Sequence, residues 1–539
     1  MSKAQINTTY LGKLSVAEIS AAGGWRLFMR HAGDQPSGMG ELINDETAAL
    51  WPHAALGVMF AEAKRGEIVK ARKDFQRWRG VFDGLAISDP QLAVDIELVD
   101  MHLSVYEDRS FSLSDLDHIR HVRQQVPETD HIGRGLACNH LCNIALQMGD
   151  FDLAQKYAEQ AIRAYLDGEA DFGAMHLHTH LAQIRLMRGD LDGAGEILRS
   201  MEAKLGRLPG QAEWLISVAR ILRAEVAYEA NDLEQASLLF RTAFSHVEHK
   251  DAWFDILTAA YRVSTRLAFA DFGLPGAMEA LSHAERIAQE RSMPRLLRLM
   301  KIERVRALTL SDELRAATRL LGDIELSTDR SQLEESQDLA FRQGTTFVAV
   351  ARLMVRNRRA QDALAFIAPA EDLAIRRGQL LSLAKLRVIA ATAHWQLGNR
   401  VEATSSLLSA IRLLGEQPFY RFILDEGPQM QFIVQAALDG DYVSVQPTRS
   451  QRRRLSEMMQ YWITQGRVGP GHYKSDVEDL HRRYVELLAL GHANKEIARI
   501  MGVSINTVKY HLKQMFRELD ADNRSRAVQR ARDLGWLET

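Results

Sequence analysis

Cysteine and long apolar stretches are scarce in this 539-residue chain, and their scarcity excludes several classes of protein. The two cysteines, Cys138 and Cys142, are too few for the disulfide framework of a small secreted domain. No run of about 18 apolar residues occurs, so we expect no membrane-spanning helix and no membrane partner. Residues 1–15 lack the apolar core of a secretion signal. We therefore expect a protein of the reducing cytoplasm.

Motifs typical of enzymes are also missing from the sequence. It contains no G-x-x-x-x-G-K-[ST] phosphate-binding loop, no G-x-S-x-G nucleophile elbow, no H-E-x-x-H zinc motif and no Gly-rich dinucleotide fingerprint. We therefore expect neither catalysis nor a bound cofactor, and we assign no catalytic, cofactor-binding or metal-binding residue.

Charge is distributed unevenly along the chain. Residues 451–539 hold 16 Lys and Arg against 11 Asp and Glu, a balance of +5. Because the whole chain carries −3, the remainder carries −3 − 5 = −8. A basic module on an acidic body is typical of a protein that contacts nucleic-acid phosphates at one end, although an excess of this size is weak evidence alone.

A turn of the form small-polar-x-x-x-Ala recurs through residues 46–416, at intervals near 41 residues. Gly149 with Asp150, and Asn231 with Asp232, are clear examples. The Gly or Asn ends one helix in a left-handed turn, the Asp caps the next helix, and the Ala lets the two helices pack closely. The positions of the small residue, including weaker copies, are Ala71, Leu113, Ala154, Ala194, Ala236, Ala277, Ala316, Ala363 and Ala403.

This periodicity predicts an all-α fold. Helical pairs that cannot bury an apolar face alone stack on their neighbours, so we expect a right-handed, TPR-like helical-hairpin solenoid of about nine repeats of ~41 residues at 45–436. Residues 1–44 are predicted to form an N-terminal extension, a short helical region followed by a loop. Residues 437–474 are a Gly- and Pro-bearing linker with a short helix at 455–464. Its arginines, Arg452 to Arg454, either contact DNA backbone or solvate a hinge.

The stretch Asn494 to Lys513 has the pattern of a helix, a tight turn and a second helix. Asn494 is a candidate cap of the first helix, and Ile497, Ala498 and Met501 form its inward stripe. Gly502 suits the turn. Three further apolar residues form the buried stripe of the second helix: Val508, Leu512 and Met515. The other face then presents cations, a hydroxyl and an aromatic ring, a chemistry suited to a DNA major groove.

The segment Val477 to Leu537 resembles a LuxR-type, four-helix helix-turn-helix domain, which we place at 475–539. The matching pieces are Leu487 to Gly491, Asn494 to Ala498, Thr507 to Lys509, His511 with Leu512, Asn523 with Arg524, and Ala527 with Val528. The family usually opens its first helix with Leu-Thr and a Glu three residues after the Thr. Here those positions are Val477, Glu478 and His481, so the start of that helix is altered.

The repeat region resembles the superhelical sensor region of MalT-type regulators, which Tyr420 to Gly427 would close. Such regulators begin with an ATP-binding module, whose phosphate-binding loop this sequence lacks, so an ATP-driven mechanism is not carried over. The resemblance implies a transcription regulator that binds double-stranded DNA as a homodimer and senses a small-molecule or protein effector in the solenoid groove. It would contact RNA polymerase if it is an activator. The implied DNA-binding residues are Asn494, Lys495, Ser504, Asn506, Thr507, Lys509, Tyr510, Lys513 and Arg524.

A second function remains open at this point. The solenoid is also a plausible protein-interaction scaffold, with the C-terminal domain serving only as a DNA tether.

Two clusters in the solenoid have other possible roles. His176 and His180 have the i, i+4 spacing of a two-His metal site, although a polar lining of the groove is the simpler interpretation. Cys138, His140 and Cys142 lie on one helix, where thiols more often pack as small apolar groups than act as redox or metal sensors.

Overall fold

A computed structural model describes most of the chain. The described residues are 14–30, 43–207, 213–249, 252–324, 343–427, 429–444, 446–466, 483–501, 508–509, 512, 515–516, 519, 521–534 and 536–537. Within these ranges the regular secondary structure is helical, with no strand, as the turn pattern and the periodicity predict.

The helices follow one another with short connections. The first group is α1 (Val16–Ala21), α2 (Trp25–Arg30), α3 (Asp45–Leu50), α4 (Pro52–Lys64), α5 (Ile68–Ala86), α6 (Pro90–Tyr106), α7 (Leu113–Gln125), α8 (His131–Gln147) and α9 (Phe151–Asp167). The second is α10 (Asp171–Met187), α11 (Leu191–Leu205), α12 (Glu213–Glu229), α13 (Leu233–His249), α14 (Phe254–Glu290), α15 (Pro294–Leu310) and α16 (Leu314–Asp323). The third is α17 (Gln343–Arg356), α18 (Ala360–Arg376), α19 (Leu380–Gln396), α20 (Arg400–Leu413), α21 (Arg421–Leu424), α22 (Met430–Asp439), α23 (Arg449–Gly466), α24 (Asn494–Met501) and α25 (Arg524–Asp533).

Helices α4 to α20 form nine antiparallel pairs. Eight pairs are successive helices, from α4 with α5 to α19 with α20. The long α14 supplies both helices of the sixth pair, because its backbone turns at Gly273, whose φ of 62° and ψ of −152° are not helical. The predicted solenoid of about nine helical repeats is therefore confirmed.

The turns between paired helices follow the mechanism expected from the sequence. Gly149 ends α8 with a φ of +74°, and the Asp150 carboxylate then accepts a hydrogen bond of 2.9 Å from the Leu153 N–H at the start of α9. Asp190 caps α11 in the same way, through the Gly193 N–H at 2.9 Å. A cap of this kind stabilises a helix by about 1 kcal/mol.

Seven of the nine predicted close-packing positions are alanines with no exposed surface, from Ala71 to Ala403. The other two predictions are wrong. In the seventh repeat the buried residue is Ala317, whereas Ala316 is only partly buried. In the second repeat Leu113 is 61% exposed, because it is the first residue of α7 and projects from the end of the helix. The first buried apolar residue of α7 is Leu116.

The solenoid coils so that repeats five apart along the chain touch. Asp108, after α6 in the second repeat, accepts from the N–H groups of Arg295 and Leu296 at 2.9 and 3.1 Å, and so caps α15 of the seventh repeat. In the same manner α10 of the fourth repeat packs against α19 of the ninth. These contacts between distant repeats enclose the inner side of the coil.

The N-terminal helices close one end of the solenoid. Trp25 and Phe28 of α2 are fully buried against α4. Arg26 binds Asp95 of α6 at 2.7 Å and Asp130, before α8, at 2.6 Å. The expected helical region at the N-terminus is thus present, and the loop predicted after it falls largely at 31–42, outside the described residues.

The region predicted to be a linker contributes α23 to the solenoid. The helix expected at 455–464 is present with longer bounds, and Leu455, Met458 and Trp462 are buried against the last repeats. Arg454 is 2% exposed and donates to the carbonyls of Gly415 and Phe419 at 2.7 and 2.9 Å. Neither expected role, DNA contact or hinge solvation, fits Arg454, because its guanidinium satisfies the backbone carbonyls of the turn after α20.

Among the helices described, none combines the length and the apolar character needed to cross a membrane. Packing between paired helices can be tested at one of the buried alanines.

We predict that Ala154→Leu destabilises the protein by about 1–3 kcal/mol, because the added atoms have no room between α8 and α9. Thermal unfolding of the full-length chain measures the effect. Lys156→Leu, at an exposed position one half-turn later in α9, is the matched control and should leave stability within about 0.5 kcal/mol. Equal melting temperatures for the two variants would contradict the close-packing role of the alanine.

Candidate nucleic-acid interface and solenoid cavity

The C-terminal unit has its own small apolar core. A helical segment at 483–489 and helices α24 and α25 contribute Tyr484, Ile497 and Ala527 to it. The inward stripe predicted for the second helix is confirmed, since Val508, Leu512 and Met515 are at most 5% exposed. This core fixes which side of the unit faces outward.

The start of α24 differs from the expectation in one detail. Asn494 is the first residue of the helix, and Ala493 is the cap, because the Ala493 carbonyl accepts from the Glu496 and Ile497 N–H groups at 2.9 Å. The Asn494 amide oxygen instead accepts from Arg524 Nη2 at 3.1 Å. The same Arg524 nitrogen donates to the His492 carbonyl at 2.9 Å. Arg524 thus ties α25 to the beginning of α24.

Three of the predicted DNA-binding residues lie together. Asn494, Lys509 and Arg524 line one concave surface, with Leu512 and Phe516 beneath them. Lys509 and Arg524 are exposed, and Asn494 is half-buried. The surface therefore presents an ammonium, a guanidinium and an amide to solvent. These groups donate hydrogen bonds of the kind that phosphate oxygens and the acceptor atoms of base edges receive.

The remaining predicted residues divide into two groups. Lys495 is exposed on α24 and does not line this concave surface. The others lie outside the described residues: Ser504, Asn506, Thr507, Tyr510 and Lys513.

A second candidate site lies inside the solenoid, where side chains from several repeats form a buried ion network. Its cations are Arg262, Arg266, Arg306, Arg352, Lys385 and Arg421, and its carboxylates are Glu225, Glu229, Glu303, Asp425 and Glu426. Each of the five arginines is less than 10% exposed. Such charges are stable in a protein interior only when they are paired.

The network joins neighbouring repeats. Arg266 on α14 binds Glu303 on α15 at 3.1 Å and Glu229 on α12 at 3.4 Å. Lys385 on α19 binds the same Glu229 at 2.7 Å. Helices from the fifth, sixth, seventh and ninth repeats are therefore connected through shared carboxylates.

The segment Tyr420 to Gly427, which contains α21, supplies two of the carboxylates. Asp425 binds Arg306 at 2.6 Å and Arg421 at 2.6 Å, and it accepts from the Tyr228 hydroxyl at 3.0 Å. Glu426 binds Arg352 Nε at 2.8 Å. Residues that follow the last repeat are thus anchored in the interior of the solenoid.

The electrostatics of the network favour the ionised forms of its acids. Burial disfavours the Glu303 carboxylate, but Arg266, Arg262 and other cations outweigh this effect and lower its pKa to about 2. Burial and the neighbouring cations have the same opposed effects on Asp425, whose pKa is held below its usual value. For Lys385, burial together with Arg266 and Arg262 lowers the pKa, in spite of Glu229.

This network was not predicted from the sequence, although a signal was present. Charged residues interrupt the apolar first helices of successive repeats at nearly the repeat spacing. The spacing from Glu225 to Arg262 is 37 residues, and the spacing from Arg262 to Glu303 is 41 residues. Charges at the same place in consecutive repeats fall on the same side of a solenoid. The pairing itself needs the coil geometry, which the repeat length does not determine.

The histidine cluster lines a different cavity, near the N-terminal end. His176 and His180 share a face of α10 and are buried, with rings 6.3 and 5.8 Å from Trp253. His176 Nε2 lies 3.2 Å from Lys64 Nζ, and an ammonium there opposes a metal cation. Among the residues described, no three His, Cys, Asp or Glu side chains converge as metal ligands would. The two imidazoles line this cavity together with Lys64 and Trp253.

The two cysteines are buried on α8. Burial raises the pKa of the Cys138 thiol, and it raises that of the Cys142 thiol further. Thiols of this kind are poor nucleophiles at neutral pH, because the reactive form is the thiolate. Packing between helices accounts for both.

Comparisons with known families match both parts of the chain. Residues 118–439, more than half of the chain, match the family described as MalT-like TPR region. Residues 482–531 match the bacterial regulatory proteins of the luxR family.

Two individual relatives each match a short stretch of the chain. A putative HTH-type transcriptional regulator, YhjB of Escherichia coli, is 37% identical over 69 residues, which cover 11% of this chain and 34% of that protein. The HTH-type transcriptional activator RamA of Corynebacterium glutamicum is 36% identical over 89 residues, 16% of this chain and 30% of that protein. The chain thus spans about a third of the length of these relatives.

A solved structure shares the solenoid fold. It is a Rap protein complexed with competence and sporulation factor, which matches with a TM-score of 0.52 at 12% identity and covers 68% of this chain and 99% of that one. At this identity the likeness concerns the fold alone.

We predict that Arg524→Ala loosens the junction of α24 and α25, since it removes two hydrogen bonds from one guanidinium. The cost should be about 1 kcal/mol, because the site is exposed. Hydrogen exchange of the 494–501 amides in the full-length protein should be faster than in wild type. Arg532→Ala, an exposed change at the other end of α25, serves as the control. Unchanged exchange in Arg524→Ala would show that these bonds do not hold the start of α24.

Proposed function

Because the chain belongs to the MalT-like TPR-region family and also carries a luxR-family segment, we propose that it is a DNA-binding transcription regulator. The observation that supports this proposal most strongly is the concave surface on which Asn494, Lys509 and Arg524 come together. Two relatives that match short stretches of the chain are named as transcription regulators. Binding to chromosomal DNA also supports the expected cytoplasmic location.

The proposed roles follow from the chemistry of each side chain. Lys509, with Tyr510 and Lys513 of the second helix that the sequence predicts, is proposed to read base edges in the major groove, where lysine donates to guanine O6 and N7. Asn494, Lys495 and Arg524 are proposed to hold the backbone through phosphate contacts, which fix register without reading sequence. Ser504, Asn506 and Thr507 would add contacts near the start of the second helix.

A single unit of this size buries little surface on DNA, so we propose binding as a homodimer on paired half-sites. The described residues do not single out one face for the dimer. Contact with RNA polymerase follows if the outcome is activation, as the name of the Corynebacterium glutamicum relative indicates for that protein.

The solenoid is proposed to be the sensor that controls the DNA-binding unit. Its interior network includes Asp425 and Glu426, which lie between the last repeat and α23. Tyr420 donates to Glu457 of α23, and Arg421 donates to the Tyr461 hydroxyl at 3.2 Å. An effector that favours one arrangement of these contacts would therefore shift the position of α23 and of the residues C-terminal to it.

Capture of genomic fragments by the purified full-length protein tests the proposed function. Wild type should enrich a small set of sites, and Lys509→Ala/Lys513→Ala should lose that selectivity, since each good base contact contributes about 1–3 kcal/mol of discrimination.

Lys156→Ala, which removes an exposed lysine from the solenoid, is the matched control and should enrich the same sites as wild type. If wild type enriches no site, or if the double variant enriches the same sites equally well, the proposal is wrong. In that event the protein-interaction scaffold becomes the better account of the solenoid.

A further inference from the structure

The ion network surrounds a cavity of about 40 Å³, which opens partly to solvent. Its lining comes from the fourth repeat, from the sixth to ninth repeats and from the segment Tyr420 to Gly427. This space holds a few water molecules or one small group, such as a carboxylate or a phosphate, and it is too small for a folded partner.

The cations and the carboxylates of the network are not arranged equally around this cavity. All six cations line it: Arg262, Arg266, Arg306, Arg352, Lys385 and Arg421. Of the five carboxylates only Asp425 and Glu426 do so, while Glu225, Glu229 and Glu303 bind the cations from outside the lining. The side chains that line the cavity therefore carry more positive than negative charge, while the other three carboxylates bind the same cations from behind.

Two donors at the wall also lack a hydrogen-bond partner in the described structure. They are the Nε–H groups of Arg266 and Arg421, which are buried and belong to side chains only 6% and 8% exposed. A buried donor without an acceptor destabilises the protein. Anionic oxygens are the strongest acceptors for guanidinium groups.

We propose that this cavity binds a small effector through a carboxylate or phosphate group, held by Arg266, Arg306, Arg352 and Lys385. The inference rests on the proposed function, because it names the chemical class of the effector that the sensor would take. Arg306 and Arg352 now bind Asp425 and Glu426. A ligand anion competes with these two carboxylates, and so changes how firmly the segment Tyr420 to Gly427 is held.

Titration calorimetry on the full-length protein tests the proposal with three probes at constant ionic strength: citrate, glucose 6-phosphate and glucose. Citrate or glucose 6-phosphate should bind saturably and raise Tm, and glucose should do neither. The two anions distinguish a carboxylate from a phosphate ligand.

A double variant, Arg352→Gln/Glu426→Gln, removes a cation from the wall without leaving its carboxylate buried and unpaired. It should weaken anion binding about 10-fold or more, the loss expected for one charged hydrogen bond. The matched control is Arg304→Gln/Glu285→Gln, which removes an ion pair of 2.8 Å outside the cavity and should bind the anion as wild type does.

Two results would overturn the inference: no saturable binding of either anion to wild type, or equal affinity in the two double variants. The capture of genomic fragments separates this failure from that of the proposed function. If the protein selects DNA sites but binds neither anion, only the proposed effector class is wrong. If the protein binds an anion in the cavity but selects no DNA site, the proposed function as a regulator is wrong.

Discussion

Buried charge is the constraint on which the C-terminal half of the solenoid depends. Six cations on the inner side of the coil require carboxylates, because an unpaired charge in such a place costs about 3–5 kcal/mol. The repeats supply three of them, Glu225, Glu229 and Glu303, and the segment after the last repeat supplies Asp425 and Glu426. The repeats and the segment after them are therefore not independent, since each supplies ion-pair partners for buried charges of the other.

This dependence gives the proposed sensor a physical route to the C-terminal unit. The segment Tyr420 to Gly427 is bound inside by Arg306 and Arg352, and on its other side it contacts α23 through Tyr420 and Arg421. Helix α23 itself is packed on the last repeats by Leu455, Met458 and Trp462. Through these contacts, a change in the cavity would act on α23, and so on the start of the connection to residues 483–534.

Much of this architecture could be predicted from local sequence. The Gly–Asp turns at 149–150 and 189–190, and the alanines after them, are local signals, so the nine helical pairs were predictable. The inward stripe Val508, Leu512 and Met515 was predictable for the same reason. The prediction of Ala316 is wrong by one residue, and a shift of one residue changes the face of a helix by about 100°. The partners of Asp108, Arg454 and Asp425 are set by how repeats coil in space, which no local pattern contains.

The claim that the ion network holds the segment Tyr420 to Gly427 in the solenoid can be tested directly by hydrogen exchange. The measurement compares wild-type full-length protein with Arg306→Gln/Asp425→Asn, a pair that removes both charges of one ion pair together and replaces them with neutral amides. We predict exchange about 10-fold or more faster for the amides of residues 421–427, with α8 and α9 unchanged. Unaltered protection of 421–427 in the folded variant would contradict the claim.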